Sequence, residues 1–285
     1  MISQIADVDL SLDPPLTVGL LTTFICNQFE SKGFTDAVLG VSGGVDSALG
    51  VALLVTALGP EHVTGLAMPA AQSDPQSLLD ARHVASTFGI RLVEKPIGGL
   101  IREFYADERN VDRVRLGNAA ARFRMMRLFD YSHKHRALVV GTSNKTELLL
   151  GYGTWFGDLA CSINPLGDLY KTQVWALADW LGVPEEVVCK PPTADLWKGQ
   201  TDEADLGCRY EDVDRLLYLL IDRDYSISAL QGIGFAPAFI ERTLDMIAKS
   251  QFKRSLPAIP KISMKTVGID FHFSREWKAK PATKR

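Results

Sequence analysis

Apolar positions along this chain keep two rhythms. Residues 17–30 place them at helical spacing, whereas residues 37–41, 62–68, 91–97 and 137–141 are short apolar runs rich in β-branched side chains, separated by helical stretches. Strands that alternate with helices predict an α/β fold: a doubly wound parallel sheet with helices on both faces. After Leu150 the pattern changes. Gly151, Gly153, Gly157 and Gly167 break up residues 151–168, and a helix is expected over 169–181 before the stop at Gly182-Val183-Pro184. Residues 190–207 hold two prolines and scattered charges without sustained periodicity, which predicts a long active-site loop. Helices are expected again over 210–221 and 236–250, with a basic, frayed tail from Trp277. The expectation is one domain over 1–285: an N-terminal helix at about 14–33, a sheet core at about 36–183, a lid loop at about 190–207, and C-terminal helices with the tail at 208–285.

Composition narrows the function classes. The chain has 285 residues, 46% of them hydrophobic, enough for a full core. Thirty-one Lys and Arg stand against 34 Asp and Glu, a net charge of −3, which gives no global attraction for nucleic acid. No apolar run reaches membrane-spanning length. Residues 1–15 carry Asp7, Asp9 and Asp13 and no basic residue, unlike a secretory signal, so a cytoplasmic protein is expected. Cys26, Cys161, Cys189 and Cys208 are widely spread, which argues against a zinc site or a disulfide framework.

The densest chemistry lies in Gly40-Val41-Ser42-Gly43-Gly44-Val45-Asp46-Ser47, between the first apolar run and the apolar segment that follows. It reads as strand, phosphate loop and helix. Glycines let successive N–H groups curl into one cavity, and the helix start adds its positive dipole end. The commoner phosphate loop would need glycine in place of Val45 and lysine in place of Asp46. A carboxylate beside phosphate oxygens instead calls for a divalent cation between them, so the loop predicts phosphate plus magnesium. The plainer reading makes Ser42 or Asp46 a helix cap.

This Ser-Gly-Gly-x-Asp-Ser loop resembles that of the ATP pyrophosphatase group, whose fold is adenine nucleotide α-hydrolase-like. Four further blocks occur in the order and spacing of the NAD synthetase family: Gly117-Asn118-Ala119-Ala120-Ala121-Arg122, Gly141-Thr142-Ser143-Asn144-Lys145-Thr146-Glu147, the stretch from Asn164 to Gln173 with Gly167-Asp168-Leu169-Tyr170-Lys171, and Lys190-Pro191-Pro192-Thr193-Ala194-Asp195 followed by Gly199-Gln200-Thr201-Asp202-Glu203. The resemblance implies ATP-dependent amidation of nicotinic acid adenine dinucleotide by ammonia, through an acyl-adenylate, to give NAD, AMP and pyrophosphate. It also implies a homodimer. Glutamine-dependent members carry an amidase domain ahead of the synthetase; too few residues precede the first strand for one here, so free ammonia or a separate glutaminase subunit is expected.

Residue roles follow from the same resemblance. Residues 40–47, Thr142, Lys171 and Thr193 match ATP contacts, Asp46 and Glu147 the magnesium ligands, and Arg122 and Lys253 contacts of the dinucleotide substrate. Asp158 matches a residue that assists ammonia. Asp46, Asp158 and Lys171 are therefore the expected catalytic groups. On the residues alone, Glu147 also reads as a first-turn glutamate that complements its helix dipole, and Lys171 as a solvated lysine, although a cation in a first turn is electrostatically misplaced. Arg113, Arg115, Arg122, Arg124 and Arg127 form the densest basic cluster. Two positions that contact the substrate in many short family members depart from the pattern: Trp155 stands for lysine and Ser162 for aspartate, while Phe252 replaces a histidine. Trp155 either stacks on a substrate ring or anchors its own loop. The rival functions are another adenylating amidotransferase of this group or a transfer-RNA-modifying enzyme, both keeping the loop and changing the acceptor, and a catalytically silent nucleotide-binding regulator.

Overall fold

The computed structural model describes residues 8–71, 73–193 and 201–271. Helix α1 (Pro14–Lys32) starts on an Asp13 cap, with Pro14 in the first turn, and ends at Gly33 in the left-handed region. The core then alternates as the apolar pattern requires: β1 (Asp36–Gly40), α2 (Val45–Leu58), β2 (Val63–Ala67), α3 (Pro75–Thr87), β3 (Arg91–Glu94), α4 (Gly98–Phe104), α5 (Arg113–His135), β4 (Ala137–Val139) and α6 (Lys145–Leu150). Helices α7 (Lys171–Trp180), α8 (Glu185–Val188), α9 (Asp202–Leu206), α10 (Tyr210–Leu217), α11 (Ile227–Gly232) and α12 (Pro237–Lys249) complete it.

The four strands lie in the order β3-β2-β1-β4, all parallel, with Val38 of β1 opposite Thr64 of β2 and Val139 of β4. This is the expected doubly wound sheet. Strand order reverses between β1 and β4, so the loops leaving their carboxyl ends flank a crevice. Helix α2 is apolar nearly all round, and Ala48, Leu49, Val51, Leu53 and Leu54 are completely buried. It packs with α1 and α7 over one sheet face, while α5 and Ile97 and Ile101 cover the other.

Two sequence expectations change. The segment 190–207 is not loop throughout: α9 occupies 202–206 and buries Leu206 against Tyr210 and Val213, so only its first part remains for a lid, and 194–200 lie outside the described residues. Helix α10 also ends at Leu217, and Tyr218–Asp222 continues as a π turn. The tail from Trp277 lies outside the described residues as well.

Candidate active site

The crevice opens into a cavity of about 460 Å³ lined by the loop after β1, the loop after β4, the start of α7 and the segment 190–193. Neither Ser42 nor Asp46 caps α2. Its N-cap is Gly44, which has no side-chain capping bond. Ser47 Oγ donates to the Gly44 carbonyl at 2.9 Å and receives the Ser42 amide at 3.2 Å, locking the loop closed on itself. The first-turn amides of α2 lack intrahelical acceptors and their dipole end faces the cavity, the arrangement that takes an anion. Gly43 plays a different part from the rest of residues 40–47. It does not line the cavity; its φ is 81° and a Cβ there would lie 2.2 Å from the Ser77 carbonyl on α3. It is the hinge that lets the loop pass α3.

Opposite the loop, three helix starts deliver charge to one place. Lys171 opens α7 with its side chain 2% exposed, and its Nζ donates to Asp46 Oδ2. The solvated-lysine reading is thereby excluded. Burial pulls the Lys171 ammonium down, but the charges of Asp46, Glu147 and Asp202 more than offset it, and the group is held above its ordinary range. Asp46 Oδ1 accepts from Asn144 Nδ2 at 2.9 Å. Asn144 also opens α6 in a reciprocal cap with Glu147: the Glu147 amide donates to Asn144 Oδ1 at 2.9 Å, and the Asn144 amide to Glu147 Oε2 at 3.2 Å. Glu147 is thus both the helix-end glutamate of the plain reading and a cavity residue. Burial, then the Asp46 charge, pushes its carboxyl well above the carboxylate range.

Asp202 lines the same wall, receiving the hydroxyls of Tyr152 at 2.9 Å and Tyr210 at 3.1 Å, and burial raises it too. Asp46, Glu147 and Asp202 face one lysine. A divalent cation among these carboxyls would favour their charged forms, and hard carboxylate oxygens suit magnesium. Among the described residues no cluster of three or more His, Cys, Asp or Glu forms a ready-made metal cage.

The far flank carries Asp158 and Lys253. Asp158 Oδ1 accepts the Thr154 amide at 2.6 Å; the residue has an exposed edge, but its carboxyl sits among enough protein that burial raises it. Lys253 Nζ donates to the carbonyls of Gly151 and Gly153, each at 2.8 Å, and burial lowers it. Thr142 and Thr193 also line the cavity. Arg122, Trp155 and Ser162 do not. Arg122 is exposed and reaches the Trp155 carbonyl at 3.4 Å, and Ser162 is exposed while its amide bonds Val139. Trp155 stacks on Phe156 at 4.2 Å and meets Phe252 edge on, as a loop anchor does.

Sequence reasoning missed several contributors. Asn144 was legible, since Asn-x-x-Glu ahead of an apolar run is a capping box. Asp214 was legible too: it falls on the apolar stripe of α10 with Tyr210, Val213 and Leu217, where a carboxylate needs a reason. It is fully buried, accepts Thr146 Oγ1 at 2.5 Å and the Thr172 amide at 2.8 Å, and Thr146 Oγ1 receives the Lys171 amide at 3.1 Å. Arg124, which donates to the Met68 carbonyl, and Lys190, bonded to Asp80 Oδ2 at 2.6 Å, line the cavity through tertiary contacts that no local pattern announces.

Comparison with known proteins adds three findings. A family model described as NAD synthase matches residues 17–257. The NH(3)-dependent NAD(+) synthetase of Chlorobaculum parvum is 47% identical over 269 residues, 94% of this chain and 97% of that protein. Among solved structures, the NMN synthetase from Francisella tularensis aligns with a TM-score of 0.79 at 32% identity, and the NH3-dependent NAD synthetase from Campylobacter jejuni, in complex with the nitrate ion, with 0.75 at 34%; each covers 88% of this chain and 100% of its own.

Proposed function

Since the chain belongs to the NAD synthase family, we propose that its cleft joins ammonia to the nicotinate carboxylate of nicotinic acid adenine dinucleotide, with ATP cut to AMP and pyrophosphate. It is a ligase that forms a carbon–nitrogen bond and uses ATP as substrate. The observation that carries the residue roles is the meeting of Lys171, Asp46 and Glu147 beside the α2 loop in one cavity.

A carboxylate oxygen is a poor leaving group and AMP a good one, which is why ATP is needed. As the carboxylate attacks the α-phosphorus, negative charge grows on the departing pyrophosphate. The first-turn amides of α2 and the Ser42 hydroxyl can donate to it, Ser47 holds the loop in shape through the Gly44 carbonyl, and the buried Lys171 ammonium lies where it can take up that charge. Asp46 and Glu147 would hold magnesium, which when bound would supply further charge neutralisation at the phosphates. Asp158, raised by burial, is suited to accept a proton from ammonium or from the tetrahedral adduct on the other flank.

Homodimer formation belongs to the same proposal. On α5, Met126 and Phe129 are 50% and 38% exposed and share one helix face with Arg122, which the cavity leaves outside. A partner seated there would bring Arg122 into a composite substrate site.

The test is mass detection of NAD from nicotinic acid adenine dinucleotide, ATP, magnesium and ammonium. A glutamine arm decides the nitrogen source. A nicotinate mononucleotide arm is included because the F. tularensis neighbour is named for the mononucleotide. NAD formed with ammonium supports the reading; turnover of the mononucleotide alone would replace the substrate, and no AMP in any arm would end it.

A further inference from the structure

Away from the catalytic cleft, β3 and the C-terminal half of α5 enclose a second cavity, of about 240 Å³. Strand alternation places Arg91 and Val93 along one side of β3, Lys95 follows just past its end, and helical spacing places Arg127, Tyr131 and Lys134 along one face of α5. Four cations, Arg91, Lys95, Arg127 and Lys134, therefore converge on the space, with Asp130 the one carboxylate in its wall. Among the described residues the side chain of none of the four forms an ion pair or hydrogen bond. Neighbouring arginines behave differently: Arg82 grips Glu94 through two bonds of 2.7 and 3.0 Å, and Arg115 grips Glu108 through two of 2.6 and 2.8 Å.

Arg127 adds an observation of another kind. Its Nε is buried and has no hydrogen-bond partner. A guanidinium N–H withdrawn from water without an acceptor is unfavourable, as is a gathering of like charges around a partly enclosed space. One anion with several oxygens relieves both. The enclosure takes about half the volume of the catalytic cavity, too little for a whole nucleoside triphosphate but enough for linked phosphates. Guanidinium forks suit phosphate oxygens, and the lysines add point charge.

We propose that this cavity is a second anion site, which binds a compact diphosphate group through Arg127, Lys134, Arg91 and Lys95. The diphosphate is either free pyrophosphate or the tail of a nucleotide. The inference does not depend on the roles proposed for the catalytic cleft, since none of the four cations lines that cleft.

The experiment is isothermal titration of the full chain with pyrophosphate, with ADP and with sulfate, each with and without a saturating nonhydrolysable ATP analogue in the catalytic cleft. Arg127→Ala and Lys134→Ala are titrated alongside, with Lys95→Gln as an exposed variant that leaves the fold untouched. The expected result is a pyrophosphate equivalent that the ATP analogue does not displace. It should weaken tenfold or more in Arg127→Ala and measurably in Lys95→Gln, while the KM for ATP stays unchanged. ADP binding as tightly as pyrophosphate assigns the nucleotide tail, and ADP failing to bind assigns the free anion. The proposal is overturned if the ATP analogue displaces all pyrophosphate, if sulfate binds equally well, or if the Lys95→Gln isotherm superimposes on that of the unsubstituted protein.

Discussion

The ring of Trp155 meets the ring of Phe252 edge to face, with centroids 5.5 Å apart and planes at 82°. These are two positions at which the sequence departs from what the family resemblance implies, and they touch. The two aromatic residues pack on each other, and Phe156 stacks on Trp155. Phe156 holds a positive φ of 56°, which a bulky residue adopts only where its surroundings fix it. The aromatic trio fixes the glycine-rich loop from its outer side, and Lys253, next to Phe252, fixes it from within through Gly151 and Gly153.

Trp155→Ala and Phe252→Ala should therefore be coupled. Edge-to-face pairs contribute about 0.5–1.5 kcal/mol beyond area burial, so the double variant should lose less stability than the sum of the singles by about that amount. A thermal or urea melt of the four proteins measures it. Strict additivity, together with a dinucleotide KM raised in Trp155→Ala alone, would return Trp155 to a stacking role on substrate.

Asp46→Asn should cost both chemistry and stability. Losing one preorganised electrostatic group at the departing pyrophosphate lowers kcat on the order of 10²-fold. The position also neutralises a buried lysine, and removing one partner of a buried pair costs about 3–5 kcal/mol, with the lower end expected because Glu147 and Asp202 remain near Lys171. Adding Lys171→Met to Asp46→Asn should recover stability without recovering turnover. Normal turnover of Asp46→Asn at ordinary magnesium would end the assignment.

How much of this was legible follows from the range of each interaction. The sheet, α2 and the phosphate loop were readable because apolar period, glycine placement and strand length are local. Lys171 was readable as a misplaced first-turn cation, but its partner Asp46 lies 125 residues away, and the motif pointed to the pair only through family resemblance. Arg122 shows the opposite limit: the block that carries it is present, yet the side chain points outside the cavity of a single chain. Asp202 and Leu206 looked like part of a loop because α9 is too short to show a period, and its burial against α10 is tertiary.

Gly43→Ala should cripple the loop through geometry alone. The left-handed backbone costs an L residue about 1–2 kcal/mol, and the added Cβ would sit 2.2 Å from the Ser77 carbonyl, so α3 or the loop must shift. The loss should exceed the backbone figure, and the KM for ATP should rise. Gly44→Ala is the control: its Cβ would come no closer than 3.4 Å, to the Ser42 hydroxyl. Equal behaviour of the two variants would refute the hinge.

Asp214 ties the starts of α6 and α7 together, and its titration should be visible in stability. Burial pushes its carboxyl up to about 6 against hydrogen bonds from Thr146 and Thr172 that lower it. The folded chain thus holds this proton more tightly than the unfolded chain, whose carboxyl titrates near 4. Between about pH 4 and 6 the native state binds more protons, so this group's contribution falls as pH rises and stays constant above that window. A gap of about two units corresponds to about 3 kcal/mol. Asp214→Asn cannot titrate. Its stability should gain on that of the unsubstituted protein by about that amount from pH 4 to pH 7, since other raised carboxyls such as Asp202 shift both curves alike. At pH 7 the same variant should turn over more slowly, because Thr146 and Thr172 donate to different oxygens of Asp214 and an amide puts an NH2 in place of one of them, loosening Thr146, which receives the Lys171 amide. Urea melts at pH 4, 5, 6 and 7 decide the matter: parallel curves for the two proteins would mean that Asp214 titrates alike in the folded and unfolded chains, and the titration argument fails.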